Sequence, residues 1–215
     1  MKKILFSIFF CFISHLIFSQ KNSVADVKFS VNTAPLSLID VYSGMSYRLG
    51  TEIKVYRNFS ISAEGGGYFY HGGYKEDVNG FVMRTNFKLY LNGDQLTVGN
   101  YISFEHTYKN LRFDLADSFY ISPGPMFVKT YRTGRSANTI MIKFGSTKIY
   151  GERFIFEWYM GSGVRFENSS STLSPQEVDG RKENTQDYIS GFERKLGNWV
   201  VPVANIGIKV GWRIK

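Results

Sequence analysis

Cysteine, histidine and proline are scarce in this sequence, and each scarcity excludes a class of protein. One cysteine (Cys11) among 215 residues leaves no disulfide framework and no cysteine-based zinc site. The 21 glycines and 5 prolines carry no G-X-Y period, which excludes collagen. Apolar residues make up 43% of the chain, too many for a disordered protein. Mean hydropathy is nevertheless only −0.18, far below a bundle of membrane helices, although aromatic residues reach 17%. Apolar and polar residues must therefore be interleaved. The formal net charge of +8 would suit nucleic acid or an anionic surface. Yet Lys and Arg are scattered singly without a basic run, which leaves no nucleic acid among the expected partners.

The segment 1–19 is organised as a secretory signal peptide. Lys2 and Lys3 form a basic start, Ile4 to Phe18 an apolar run, and Ser19 a small residue before Gln20. The run is shorter than the roughly 20 residues of a spanning helix, and His15 interrupts it. Cys11 follows Phe9 and Phe10, which is not a lipoprotein context. Cleavage near Ser19 removes Cys11, and the mature chain is then basic, free of cysteine and exported. Residues 24–215 read as a single domain.

Past residue 23 the apolar period is two. Eight segments show it: Val27–Val31, Met45–Val55, Phe59–Ala63, Phe81–Leu89, Val98–Glu105, Ile140–Phe144, Phe154–Phe166 and Ile206–Ile214. Their connections alternate in length. Arg57-Asn58, Asn92-Gly93-Asp94 and Tyr150-Gly151-Glu152 are tight turns. Pro35–Ser43, His71–Gly80, Asn110–Asn138 and Asn168–Trp199 are long. In an eight-stranded antiparallel up-and-down β-barrel, that order puts every tight turn at one end and every long loop at the other. Outer-membrane barrels have short periplasmic turns and long external loops.

Alternation alone also fits a soluble lipid-carrying barrel with its apolar face inward. The transmembrane arrangement is favoured because the polar face carries both signs of charge at similar heights. Arg48, Glu52, Lys54, Glu64, Arg84, Lys88, Glu105, Lys143, Glu157, Arg165, Lys209 and Arg213 make up an expected lumen ion network, with Arg165 or Lys209 the expected partner of Glu157. Tyr47, Phe59, Phe69, Phe81, Phe154, Phe156, Trp158, Phe166 and Trp212 lie on the other face as expected membrane-facing aromatics. The last segment, ending at Trp212 and Ile214, has the pattern that barrel-assembly machinery reads, although Lys215 stands where an aromatic is more usual.

The segments NTAPLSLIDVYSGMSYRLG, FSISAEGGGYFY, IKFGSTKIYGERFIFEWYMGSGVRF and VPVANIGIKVGWRIK resemble an uncharacterised outer-membrane barrel family of Bacteroidota. That family is catalogued as a domain of unknown function and is similar in architecture to small OmpA/OmpX-type barrels. The resemblance covers about residues 26–215. It implies an outer-membrane location and supplies no site residues.

No catalytic constellation accompanies the strands. His71 lies in a Gly-Gly-Tyr loop. His106 is adjacent to Glu105 and near Ser103, but falls on the apolar phase while they fall on the polar one. The two histidines outside the leader lack metal-ligand spacing, and Gly65-Gly66-Gly67 lacks the Gly-Lys-Ser/Thr of a phosphate loop. The expectation is a non-enzymatic barrel without cofactor or metal. Its lumen is filled by side chains, its lipid partners are those of the outer membrane, and its external loops take an unidentified ligand in an envelope-integrity or surface-interaction role. A lipid- or lipopolysaccharide-modifying enzyme is the alternative from another class.

Overall fold

The computed structural model describes residues 28–38, 45–70, 75–91, 98–121, 124–181 and 194–214. Eight strands, each antiparallel to the next, close into one barrel in sequence order: β1 (Phe29–Thr33), β2 (Met45–Tyr56), β3 (Phe59–Tyr70), β4 (Glu76–Tyr90), β5 (Gly99–Phe119), β6 (Phe127–Tyr150), β7 (Phe154–Ser171) and β8 (Gly197–Ile214). Closure is made by β1, which pairs with β2 on one side and with β8 on the other. Tight turns join β2 to β3, with Arg57 left-handed at φ 42°, and β6 to β7, with Gly151 at φ 64°. The leader, Val27, His71 and the Asn92-Gly93-Asp94 turn lie outside the described residues.

The main correction concerns the connection expected over Asn110–Asn138, most of which is strand. β5 has 21 residues and β6 has 24, and they pair continuously from Gly99↔Thr147 to Phe119↔Phe127. That is about twice the 9–11 residues a strand needs to cross a bilayer. The segment reads as a loop because its apolar set changes phase. On β5, Ile102 and Phe104 are exposed while Tyr101, Ser103, Glu105 and Thr107 are buried. Ten residues on, Leu111, Phe113 and Leu115 are the buried ones, with Arg112 exposed between them. The strand keeps its orientation throughout. What changes is which face carries the apolar side chains.

Inside this protruding end, Tyr68, Val82, Leu111, Phe113, Leu115, Phe119 and Tyr131 form an apolar cluster, with Val78 and Leu173 packed on it. Two short elements lie among the long connections: a 3-10 turn (Pro35–Leu38) and a helix, α1 (Pro175–Gly180). Ser174 and Glu177 cap α1 reciprocally, and Lys129 Nζ reaches Glu177 Oε1 at 2.5 Å, fastening the helix to β6.

Phe113 is fully buried at the centre of the cluster. Phe113→Ala is expected to cost about 3–5 kcal/mol, confined to the protruding end. Limited proteolysis should then cut within residues 110–138 while the rest of the barrel stays resistant. Uniform resistance would contradict a separate apolar core there.

Candidate functional site

The inward face carries the chemistry. Arg48, Glu52, Glu64, Lys88, Glu105, Lys143, Glu157 and Lys209 are buried in the lumen, and the side chain of Arg84 is 9% exposed. Lys54, Arg165 and Arg213 are half-buried on the same phase. Among the outward aromatics, Tyr47, Phe69, Phe81, Phe154, Phe166 and Trp212 are exposed. Phe59, Phe156 and Trp158 are half-buried, Trp158 edge-on to Phe144 at 6.0 Å.

Near the tight-turn end, Lys88 holds two carboxylates at once. Its Nζ donates to Glu52 Oε2 and to Glu157 Oε2, both at 2.6 Å, and the lysine has no exposed surface. Two carboxylates on one ammonium leave a net negative charge, which hydroxyl donors stabilise. Ser60 Oγ donates to Glu52 Oε1 at 2.6 Å and Tyr90 Oη at 2.9 Å, while Tyr101 Oη donates to Glu157 Oε1 at 2.7 Å. The rings of Tyr90 and Tyr101 meet at 5.5 Å, and the Lys88 ammonium lies 4.7 Å from the Tyr101 ring centre. The expected pairing of Glu157 with Arg165 is therefore corrected, while Lys209 acts on Glu157 through charge without a hydrogen bond between them. Lys209 faces it in the register, but the bonded cation is Lys88, from β4 across the lumen. Arg165 turns instead to Glu167 at 3.1 Å.

Above this knot the pairs are simpler. Lys143 Nζ meets Glu105 Oε2 at 2.6 Å, and Lys209 Nζ meets Glu64 Oε2 at 3.1 Å. Arg84 Nη1 stands 3.7 Å from Glu64 Oε1. Lys143 also lies 4.2 Å from the centre of the Tyr159 ring. Glycines make room for these tyrosines. A Cβ on Gly145 would come 2.4 Å from Tyr101 Oη, and one on Gly207 would come 2.4 Å from the Tyr159 ring. Tyr101 and Tyr159 were detectable from the sequence, since both fall on the polar phase of their strands.

Ser103, Glu105 and His106 do not converge. Ser103 and Glu105 point into the lumen, while His106 is exposed on the outer face with Nε2 3.2 Å from Asn138 Oδ1. Among the described residues, no group of three His, Cys, Asp or Glu is placed to hold a metal ion. The arrangement defines a barrel with polarity opposite to that of a soluble one, ion-paired inside and apolar outside. Comparison of the chain with family models, with curated proteins and with solved structures returns no match.

Tyr101→Phe keeps the ring over Gly145 and deletes only the donor to Glu157. A hydrogen bond to a charged group contributes about 1.5–3 kcal/mol, and a loss of that size is expected in urea unfolding. Tyr47→Phe, on the outer face, should stay within about 0.5 kcal/mol. Equal effects of the two changes would contradict the lumen assignment.

Proposed function

We propose that the protein is a non-enzymatic outer-membrane β-barrel, of the Bacteroidota family its segments resemble, exported by the 1–19 signal peptide. In this reading it contributes to envelope integrity or surface interaction through its protruding end. The observation that carries the proposal is the reversal of polarity along single strands. A line of paired positions runs Tyr47, Gly67, Phe81 and Asn110 over β2 to β5, and a second runs Tyr108, Asn138, Phe166 and Val200 over β5 to β8. Beyond it, most outward residues of β5 to β8 are polar, among them Arg112 and Asp114, Arg132 and Ser136, Asn168 and Ser170, and Asn198, with Ala116 and Val128 the apolar exceptions nearest the tip.

Below the line the outward face is apolar and exposed, including Leu49, Ile53, Met83, Phe87, Ile102, Phe104, Ile142, Met160 and Ile206. A soluble barrel would expose these large side chains to water as one continuous belt, well beyond the few hundred Å² that monomers tolerate. Outward positions from Phe154 to Phe166 on β7 give a belt about 30 Å tall at a usual strand tilt, close to the apolar band of outer-membrane barrels. Aromatics gather at both rims. Phe81 and Tyr108 meet at 5.8 Å on one, Tyr150 and Phe154 at 6.3 Å on the other. On the same reading, the tight turns face the periplasm. Outside the bilayer, Arg132 bridges Asp114 at 2.7 Å and also Asp77, bracing the hairpin that external partners would meet.

Processing at Ser19 removes the one cysteine, so single engineered cysteines report topology directly. A cysteine at Gln176 should react with a membrane-impermeant maleimide on intact cells, and one at Asn58 should react only after lysis. The protein should stay with the membrane in carbonate and migrate differently on a gel before and after heating. Carbonate extraction into the soluble fraction, or the reverse labelling pattern, would contradict the proposal.

A further inference from the structure

Above the Lys88 knot and below the apolar cluster, the lumen opens into a cavity of about 410 Å³. Neither Lys88, Glu52 and Glu157 beneath it nor Phe113, Phe119 and Tyr131 above it line its walls. Arg48, Arg84, Lys109 and Arg165 do, against a single carboxylate, Glu105, whose Oε2 is already held by Lys143. Among the described residues, Nε of the nine-tenths-buried Arg84 and Nε of Arg165 have no hydrogen-bond partner, and Arg84 Nη1 faces only Glu64 Oε1, at an ion-pair distance of 3.7 Å. Buried guanidinium N–H groups left without acceptors are costly, and so is a surplus of like charge in a partly dry space.

Among the described residues, the strand pairing beside this cavity is incomplete. β1 has 5 residues and pairs with β8 only over Val210–Ile214 and with β2 only over Leu49–Ile53. Beyond that, the Pro35–Leu38 turn fills the seam. Hydroxyls replace a strand's ladder there: Thr33 Oγ1, at the end of β1, donates to Arg48 O at 2.6 Å, and Ser37 Oγ of the turn donates to Ser46 O at 2.7 Å. On the other side of the seam, Ala204–Ile208 of β8 line the cavity together with Ala34, Leu36 and Ser37. Ile206 is 73% exposed on the outside at that height, within the apolar belt.

We propose that the cavity binds the phosphate group of a ligand entering sideways through the seam between β8 and the Pro35–Leu38 turn. Guanidinium N–H groups donate in pairs to phosphate oxygens and a lysine adds a point charge, so a dianionic group satisfies the N–H donors left without a hydrogen bond and offsets the surplus charge together. The volume lies within the usual range of small-ligand pockets. A seam at the height of the apolar belt admits a phosphate carried on an acyl or alkyl chain. That route rests on the membrane reading above, whereas the phosphate site itself does not.

The test uses the mature chain folded in an uncharged detergent and titrated calorimetrically with dodecyl phosphate and, separately, with inorganic phosphate. Dodecyl phosphate is expected to bind saturably, one per chain. Arg48→Gln and Arg165→Gln should each weaken binding by about tenfold or more, the loss of one charge-assisted hydrogen bond. Both variants should keep the heat-dependent gel shift, since neither arginine belongs to the Lys88 knot. Binding of inorganic phosphate alone, with the same sensitivity to both variants, would retain the site and overturn the sideways route. Absence of saturable binding by either compound, or binding indifferent to both substitutions, would overturn the proposal. A chain that is soluble without detergent yet binds inorganic phosphate in this way would contradict the membrane reading and leave the site standing.

Discussion

An ammonium group without exposed surface, held between carboxylates from opposite walls of a barrel, constrains everything around it. Lys88 reaches from β4 to Glu52 on β2 and Glu157 on β7, both at 2.6 Å. Stripped of either carboxylate, the buried charges would cost several kcal/mol each, so the three strands must hold one register and one circumference. Ser60, Tyr90 and Tyr101 complete the knot by donating to the remaining carboxylate oxygens. Such a network contributes little net stability compared with a well-packed apolar plug. It specifies a particular closure of the barrel.

Filling the inside with charge turns the apolar residues outward, and where the outward surface becomes polar again the inside must supply an apolar core. That exchange occurs within β5 and β6, around Tyr108 and Asn138. The same exchange explains the cavity, since side chains suited to the knot end at one level and those suited to the apolar cap begin at another. Between them stand arginines on a wall that β1, with only 5 residues, does not complete.

Most of the architecture was legible in the sequence because a two-residue period is a local property. Strand number, order, and the inward phase of residues such as Glu64, Lys143 and Lys209 all follow from it. The protruding hairpin was not legible, because Leu111, Phe113 and Leu115 are apolar on the phase that is polar a few residues earlier, which reads as the end of a strand. Partners across the lumen were not legible either. Lys88 and Glu157 lie on strands that are not neighbours, and only the curvature of the closed barrel brings them together. The seam escaped because the shortness of β1 depends on where Ala34 leaves the sheet for a turn bonded to β2 through Ser37, a matter of tertiary geometry.

The central claim is that the charged face is the inside, and a double-mutant cycle on Lys88 and Glu157 tests it most directly. Lys88→Met, Glu157→Gln and the double variant would be unfolded in urea from lipid vesicles, with folding followed by the heat-dependent gel shift. Each single change should destabilise, and the double should cost less than their sum, with a coupling energy toward the upper part of the about 0.5–3 kcal/mol found for contacting residues. A coupling indistinguishable from zero would mean that these side chains do not meet, and that the charged face does not form the interior.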